Sequence, residues 1–402
     1  MNENTAEKRA SKPFSSFPIG YYQLHPDVSI NFQLNRFYNW AGDAQMLEEM
    51  RTVAPGITSY AVFTQTFLDL AEQALSQGQT LKGAYYLRTA EFFLAPTDAR
   101  KQSIRQRFVQ LVLGYYKVTP AVSSRIPYES GWLSAYRFTP EQPKGILVVF
   151  GGFDSYIEEW LSAAFACYDA GYDLILFEGP GQGSVLEDAH LPMTMEWEKP
   201  VKAVLDFYHL DDVTLMGFSL GGGLAIHAAA FEQRVRRVIA YDILSDFLAV
   251  NLRPFSDAVR QQVLACLESG NADTLNALMA QLAKQSLLAE WGIQQGLHIT
   301  GCQTPYELFH LYQQFRTATI SANVTQDVLL LCGAEDHYVP VSQFYDQIAT
   351  LQNARSLTAR LFTRAEQAQN HCQVGNYGLA LRTIVEWIDG LRTRDQDLAA
   401  QR

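Results

Sequence analysis

The chain has no run of about 18 or more apolar residues, so it offers no segment for crossing a membrane as a helix. Nor does it carry an excess of basic charge. Its 31 Lys and Arg face 42 Asp and Glu, a formal net charge of -11. A polyanion needs clustered cations to neutralise its phosphates, which excludes nucleic acid as the main partner. The stretch 1–16 is polar and charged without an apolar segment, so no signal peptide is expected. Cysteine is sparse: Cys167, Cys266, Cys302, Cys332 and Cys372 are odd in number, scattered and not at metal-ligand spacing. Four sit in apolar or amphipathic stretches and read as buried free thiols, which suits a cytoplasmic protein. The pattern G-x-x-x-x-G-K-[ST] is missing too, so nucleotide binding has no support and no cofactor is expected.

What is present divides the 402 residues into two textures. A tail without order is expected over 1–19. Residues 20–120 show no strand alternation and read as a helical domain. Tyr60, Phe63, Phe67, Leu70, Ala74 and Leu75 recur at three- and four-residue steps, one face of a helix that Gly78 ends. A second helix follows over 81–94 and stops at Pro96, and a third carries Ile104, Phe108, Leu111 and Leu113. From 121 to the end, short apolar runs alternate with helical segments: 132–138, 145–150 (GILVVF), 172–177 (YDLILF), 213–216 (VTLM), 235–241 and 327–332 (DVLLLC). Such alternation indicates an α/β domain, a mostly parallel sheet covered on both faces. The interval between the last two runs is too long for one crossover. It reads as an inserted helical cap at about 247–322, with helices over 256–267 and 274–288 and a third opening at Thr304-Pro305 with Glu307 as its capping box.

Gly217-Phe218-Ser219-Leu220-Gly221 follows one of these strands and precedes an apolar helical run. That is the strand–turn–helix setting in which a G-x-S-x-G serine becomes a nucleophile at the sheet's carboxyl edge. A serine hydroxyl needs a base, and the base needs an orienting carboxylate. In this arrangement they follow in the order Ser, Asp, His. Asp336 lies in the loop after 327–332, with adjacent Glu335 as the alternative. His371 lies between an expected strand at 359–362 and a final helix over 379–388. His25, His298 and His310 fall in the helical region and the cap, while His190, His209 and His227 lie before the serine or in the helix after it. His337 is the remaining rival, but a residue adjacent to the acid cannot easily bridge it to the serine. For the oxyanion hole the backbone N–H of Leu220 is expected, joined by that of Phe153, with Gly152 second. Asp242 and Asp246 follow the run ending at Tyr241, as helix caps or as an auxiliary acid near the substrate. Glu178-Gly179-Pro180-Gly181-Gln182-Gly183 closes a strand and reads as turn chemistry.

Taken together, the segments Arg88-Thr89-Ala90-Glu91-Phe92-Phe93, Gly151-Gly152-Phe153-Asp154-Ser155, Glu178-Gly179-Pro180-Gly181-Gln182-Gly183, Gly217 to Gly222, Gly333-Ala334-Glu335-Asp336-His337 and His371-Cys372-Gln373 resemble the α/β-hydrolases. The resemblance is to those grouped with 2,6-dihydropseudooxynicotine hydrolase, the fermentation-respiration-switch esterases and polyketide-shortening hydrolases, and it covers nearly the whole chain after residue 20. It implies an α/β-hydrolase fold with an N-terminal helical domain, a triad at Ser219, Asp336 and His371, and a hole at Phe153 and Leu220. Some members cleave a C–C bond next to a ketone. The nicotine-pathway enzyme adds a cap-side glutamate where this chain offers Asp242 and Asp246, and the interval from Ser219 to Asp336 implies a large cap. The expected activity is therefore cofactor-free hydrolysis of a small carbonyl compound, hydrophobic, aromatic or polyketide-like, at a C–C bond. Ser219 attacks, or alternatively positions the substrate while His371 activates water. A carboxylesterase or thioesterase is the alternative, and a non-catalytic binding protein with its helical domain as interaction surface is the second. A homodimer is compatible with the sequence.

Overall fold

The structure, a computed structural model, describes residues 13–401. Five helices come first: α1 (Val28–Ala41), α2 (Ala44–Val53), α3 (Tyr60–Ser76), α4 (Thr80–Phe92) and α5 (Ala99–Tyr115). Their starts are set by side-chain caps. Asp27, Asp43, Ser59 and Asp98 each accept a hydrogen bond from a backbone N–H of the first turn. Gly42, in the left-handed conformation at φ 69°, ends α1. On α3 the buried positions Phe63, Phe67, Ala71 and Ala74 form the expected single face. Helix α1 is different, being buried on nearly every side. Two of its buried amides are satisfied by the extended segment before it: Asn31 Oδ1 accepts from the N–H of Leu24 (2.7 Å) and His25 (3.0 Å), and Asn35 Oδ1 from that of Tyr22 (2.7 Å).

Of the tail expected over 1–19, residues 1–12 lie outside the described residues. Residues 13–19 do not behave as a tail. A short 3₁₀ turn at Phe14–Ser16 packs against the C-terminal helix, and Phe17 is buried there. An aromatic residue that finds an apolar partner loses its reason to stay in water.

The eight strands form one sheet: β1 (Ser123–Tyr128), β2 (Gly131–Phe138), β3 (Gly145–Phe150), β4 (Tyr172–Glu178), β5 (Val213–Phe218), β6 (Val235–Tyr241), β7 (Asp327–Gly333) and β8 (Ser356–Phe362). Their order is β1-β2-β4-β3-β5-β6-β7-β8, with β1–β2 and β2–β4 antiparallel and the remaining pairs parallel. Every residue of β4, β5 and β7 is buried, as a sheet covered on both faces requires. The cover comes from α6 (Leu161–Asp169), α7 (Gly183–Glu187), α8 (Glu198–Tyr208) and α9 (Leu220–Phe231), and later from α15 (Val341–Thr350) and α16 (Tyr377–Ala400). In open sheets of this kind ligands bind beyond the carboxyl ends of the strands, which is where the loops after β3, β5, β6 and β7 meet.

Between β6 and β7 lie five helices: α10 (Phe247–Leu252), α11 (Asp257–Ser269), α12 (Ala272–Ala283), α13 (Leu287–Thr300) and α14 (Pro305–Tyr312). The single helix expected over 274–288 ends instead at Ala283. Ser286, whose hydroxyl accepts from the N–H of Ala289 at 3.3 Å, starts α13 in its place. Trp291 of α13 stacks on Phe92 of α4 with centroids 5.1 Å apart, so this insertion touches the N-terminal helices directly. Among the described residues no helix is long and apolar enough to cross a membrane.

Candidate active site

Strand β5 delivers Ser219 into a turn of φ 58° and ψ -122°, a conformation that L-residues avoid and that persists only where its surroundings hold it. They do so here. The Ser219 N–H donates to the Tyr241 carbonyl at 2.8 Å. A Cβ on Gly217 would run into the Gly221 carbonyl, and one on Gly221 into that of Gly151, so β5, α9 and the loop after β3 close to backbone contact only because both positions are glycine. The turn leaves the Ser219 hydroxyl half-buried at the sheet's carboxyl edge.

Three loops then bring Ser219, His371 and Asp336 together. The His371 imidazole places Nε2 2.8 Å from Ser219 Oγ and Nδ1 2.6 Å from Asp336 Oδ2. The second oxygen of Asp336 accepts the N–H groups of Tyr338 (2.7 Å) and Val339 (2.8 Å), fixing the carboxylate. Burial works against charge on both partners, but their mutual attraction outweighs it. Asp336 is held below the usual carboxylate range, and His371 is held well above the ordinary histidine value of 6.5.

The two sequence alternatives are placed elsewhere. Glu335 is exposed and paired with Arg364 on the surface (3.0 Å), since consecutive loop side chains point apart. His337 is packed between Phe32 and Tyr338, with ring centroids 4.7 and 3.9 Å away. Burial pushes its pKa down to about 4, leaving it neutral.

Asp242 and Asp246 separate as well. Asp246 caps α10 through the Ala249 N–H (2.9 Å) and pairs with Arg316, so it serves the start of a helix. Asp242 is fully buried behind His371. It accepts the Cys372 N–H at 2.9 Å and reaches within 3.6 Å of His371 Nδ1. Burial, and then the neighbouring Asp336 carboxylate, push its pKa well above the usual range. Neither lines the cavity in front of Ser219. The auxiliary acid expected near the substrate therefore has no position there: one carboxyl is engaged as a cap and the other lies beneath the imidazole. Asp242, His371 and Cys372 bring their ligand atoms within 4.8 Å of one another, but both imidazole nitrogens are already engaged by Ser219 and Asp336.

For an oxyanion, Leu220 opens α9, where a first-turn N–H has no intrahelical acceptor. Among the described residues the Phe153 N–H meets no protein acceptor either. Gly152 brings its loop against this turn, since a Cβ there would lie 3.0 Å from the Leu220 nitrogen and 3.1 Å from the Ser219 Cβ.

The relay opens into a cavity of 480 Å³ whose wall is mostly apolar and aromatic. Two contributions come from the cap, including Phe247, Trp291 and Phe309, and from α1, which presents Phe32, Arg36 and Trp40. These three sit four residues apart and so share one helix face. Sequence alone assigns none of them to the site. Their spacing was visible, but nothing local says what the face looks onto. Trp40 stacks on Tyr377 with centroids 3.7 Å apart, and the Phe32 ring lies 6.0 Å from that of His371.

Comparison with known proteins agrees with this architecture. The chain is 26% identical over 366 residues to the hydrolyase poxO of Penicillium oxalicum, spanning 80% of this chain and 84% of that protein. It is 28% identical over 303 residues to the 20-hydroxy-prefusarin hydrolase FUS2 of Gibberella moniliformis, spanning 67% and 70%. The crystal structure of 2,6-dihydroxy-pseudo-oxynicotine hydrolase superposes with a TM-score of 0.61 at 20% identity, over 88% of this chain and 94% of that one. Wild-type AbyA5 superposes with a TM-score of 0.63 at 15% identity, over 92% and 99%. At such identities the superpositions speak for the fold. The family model for the alpha/beta hydrolase fold matches residues 145–365, more than half of the chain, which therefore belongs to the α/β-hydrolases.

Proposed function

We propose that the chain is a serine hydrolase that cleaves a C–C bond next to a ketone in a hydrophobic, aromatic or polyketide-like substrate. The observation that carries this reading is the hydrogen-bonded series Ser219–His371–Asp336 opening into an aromatic cavity of 480 Å³. A cavity of this size suits a medium-sized ligand held mainly by apolar contact. In the reaction, His371 Nε2 takes the Ser219 proton as Oγ adds to the ketone carbon. The resulting oxyanion faces the N–H groups of Phe153 and Leu220. Collapse breaks the bond to the α-carbon, whose electron pair is held as the enolate of a second carbonyl and takes the proton back from His371. Water then repeats the attack on the Ser219 ester and releases the acid. Every group these steps need belongs to the chain. The related hydrolases, FUS2 among them, support hydrolysis of a small molecule.

A second reading, a carboxylesterase or thioesterase, is favoured by one observation: neither Asp242 nor Asp246 lines the cavity. An alkoxide or thiolate leaving group needs no acid beyond His371.

The deciding measurement gives the protein a β-diketone with hydrophobic substituents and, separately, an activated aryl ester, alongside fluorophosphonate labelling. Cleavage of both, with labelling at Ser219, is expected. Turnover of the aryl ester alone transfers the assignment to the esterase. A wild-type protein that neither labels nor turns over either substrate is a binding protein. If Ser219→Ala keeps more than about a tenth of the activity, covalent attack by Ser219 is wrong and water activated by His371 takes its place.

A further inference from the structure

Gln182 sits in the glycine-rich loop between β4 and α7, is almost fully buried, and does not line the substrate cavity. Its side-chain amide is nevertheless committed at both ends. Oε1 accepts the N–H of Gly179 at 3.0 Å. Nε2 donates to the carbonyl oxygens of Gly151 at 2.7 Å and Gly152 at 3.1 Å. The orientation is unambiguous, because only an amide NH₂ can serve two carbonyls while the other atom serves an N–H.

The second of these carbonyls matters for chemistry. The Gly152–Phe153 peptide is planar and trans, so its C=O and its N–H point in opposite directions. Fixing the Gly152 oxygen on Gln182 therefore aims the Phe153 N–H away from Gln182. The far side of this loop is where Gly152 packs against Leu220 and Ser219. The next residue is held as firmly: Arg88 donates to the Asp154 carbonyl at 2.6 Å and Arg36 to its carboxylate at 2.9 Å. The peptide carrying the Phe153 N–H is thus restrained on both sides.

We infer that Gln182 is a positioning residue for the oxyanion hole, acting through the Gly152 carbonyl to hold the Phe153 N–H on the developing charge. The inference rests on the covalent reading of Ser219. A hole donor is useful only where the oxyanion forms, and removing one outright costs about 10²–10³ in rate. A donor left in place but free to tilt loses part of that, about tenfold or more.

The test uses the full chain, with Gln182→Glu, which keeps the shape and the acceptor but lacks the two donors, and Gln182→Met, which keeps the length alone. The probes are an alkyl fluorophosphonate and its thiono counterpart, in which sulfur replaces the phosphoryl oxygen that enters the hole. Labelling rates at Ser219 are read by mass spectrometry, and only the reactive fraction is compared. Sulfur is a poor acceptor, so the oxo-to-thiono rate ratio reports the hole, and the intrinsic reactivity of the probes cancels between variants. In both variants the oxo rate should fall about tenfold or more, and the ratio should fall with it. A smaller reactive fraction with the ratio unchanged would mean that Gln182 only supports folding, and an unchanged rate would mean that it does nothing for the hole; either overturns the inference. Failure of the wild-type protein to label at all counts instead against the Ser219 reading, and is thereby told apart.

Discussion

His371 Nδ1 faces two carboxyl groups, Asp336 Oδ2 at 2.6 Å and Asp242 Oδ2 at 3.6 Å. The two are not equivalent, because Asp336 is held below the usual carboxylate range while Asp242 is pushed well above it. Two carboxylates this close in a buried site cannot both ionise, so the nearer one carries the charge. Asp336→Asn should therefore cost about 10⁴ in kcat, the loss seen when a triad aspartate becomes an amide. Asp242→Asn keeps the shape and an oxygen to accept the Cys372 N–H, and should cost far less. Glu335→Gln, on the surface, should cost least. Steady-state kinetics on one ester substrate ranks the three, and a loss for Asp242→Asn equal to that for Asp336→Asn would make Asp242 the working acid.

The same relationship sets a pH dependence. In the proposed reaction His371 is the base and acts only when neutral; burial lowers its pKa, but the Asp336 carboxylate more than offsets this and holds it well above 6.5. Activity should accordingly rise with pH along a limb lying above 6.5, the protonated form below it being inactive. In Asp336→Asn the opposing effect of burial is left unbalanced, so the limb should move to lower pH while the plateau falls. A profile of log kcat/KM against pH measures both. A wild-type limb at or below 6.5, or one that stays in place in the variant, contradicts the assignment.

How much of this was legible follows from which signals are local. The turn at Ser219 could be read because strand, turn and helix are contiguous in the chain. Asp336 and His371 are legible because each follows a recognisable β run, whereas only the fold separates Asp336 from Glu335, which Arg364 holds on the surface. Asp242 and Asp246 looked alike in sequence. Their difference, one beneath an imidazole and the other capping a helix, depends on the exact end of β6 and the start of α10, the least legible kind of boundary. The contribution of α1 is hidden because Phe32, Arg36 and Trp40 reach the cavity in front of Ser219 only through tertiary packing. Gln182 was hidden for a further reason: its partners are backbone carbonyls 30 and 31 residues earlier, and a carbonyl carries no sequence signature.

The helices before the sheet should be inseparable from the rest of the chain, and the reason is electrostatic as well as apolar. Arg36, Arg88 and Lys101 from α1, α4 and α5 pair with Glu91, Asp154 and Glu159, the last two belonging to the segment after β3. Three cations thus meet three carboxylates, and Arg88, Glu91 and Glu159 are almost wholly buried. Burial alone would push Glu91 up, but Lys101 and Arg88 beside it bring it below its usual range. Removing one partner from a buried pair strands the other, at about 3–5 kcal/mol. Arg88→Met should lower the unfolding free energy by that amount, because Glu159 and Glu91 both lose a donor. The exposed pair Arg107–Glu72 provides the control: Arg107→Ala should cost about 1 kcal/mol or less. Urea unfolding of the two variants decides the matter, and equal losses would remove the buried cluster as the source of cohesion. Deleting residues 1–117 removes all three cations and uncovers the apolar face that α1 and α4 occupy, so the remainder should be aggregated or inactive. A soluble and active remainder would instead show the helices to be a detachable module.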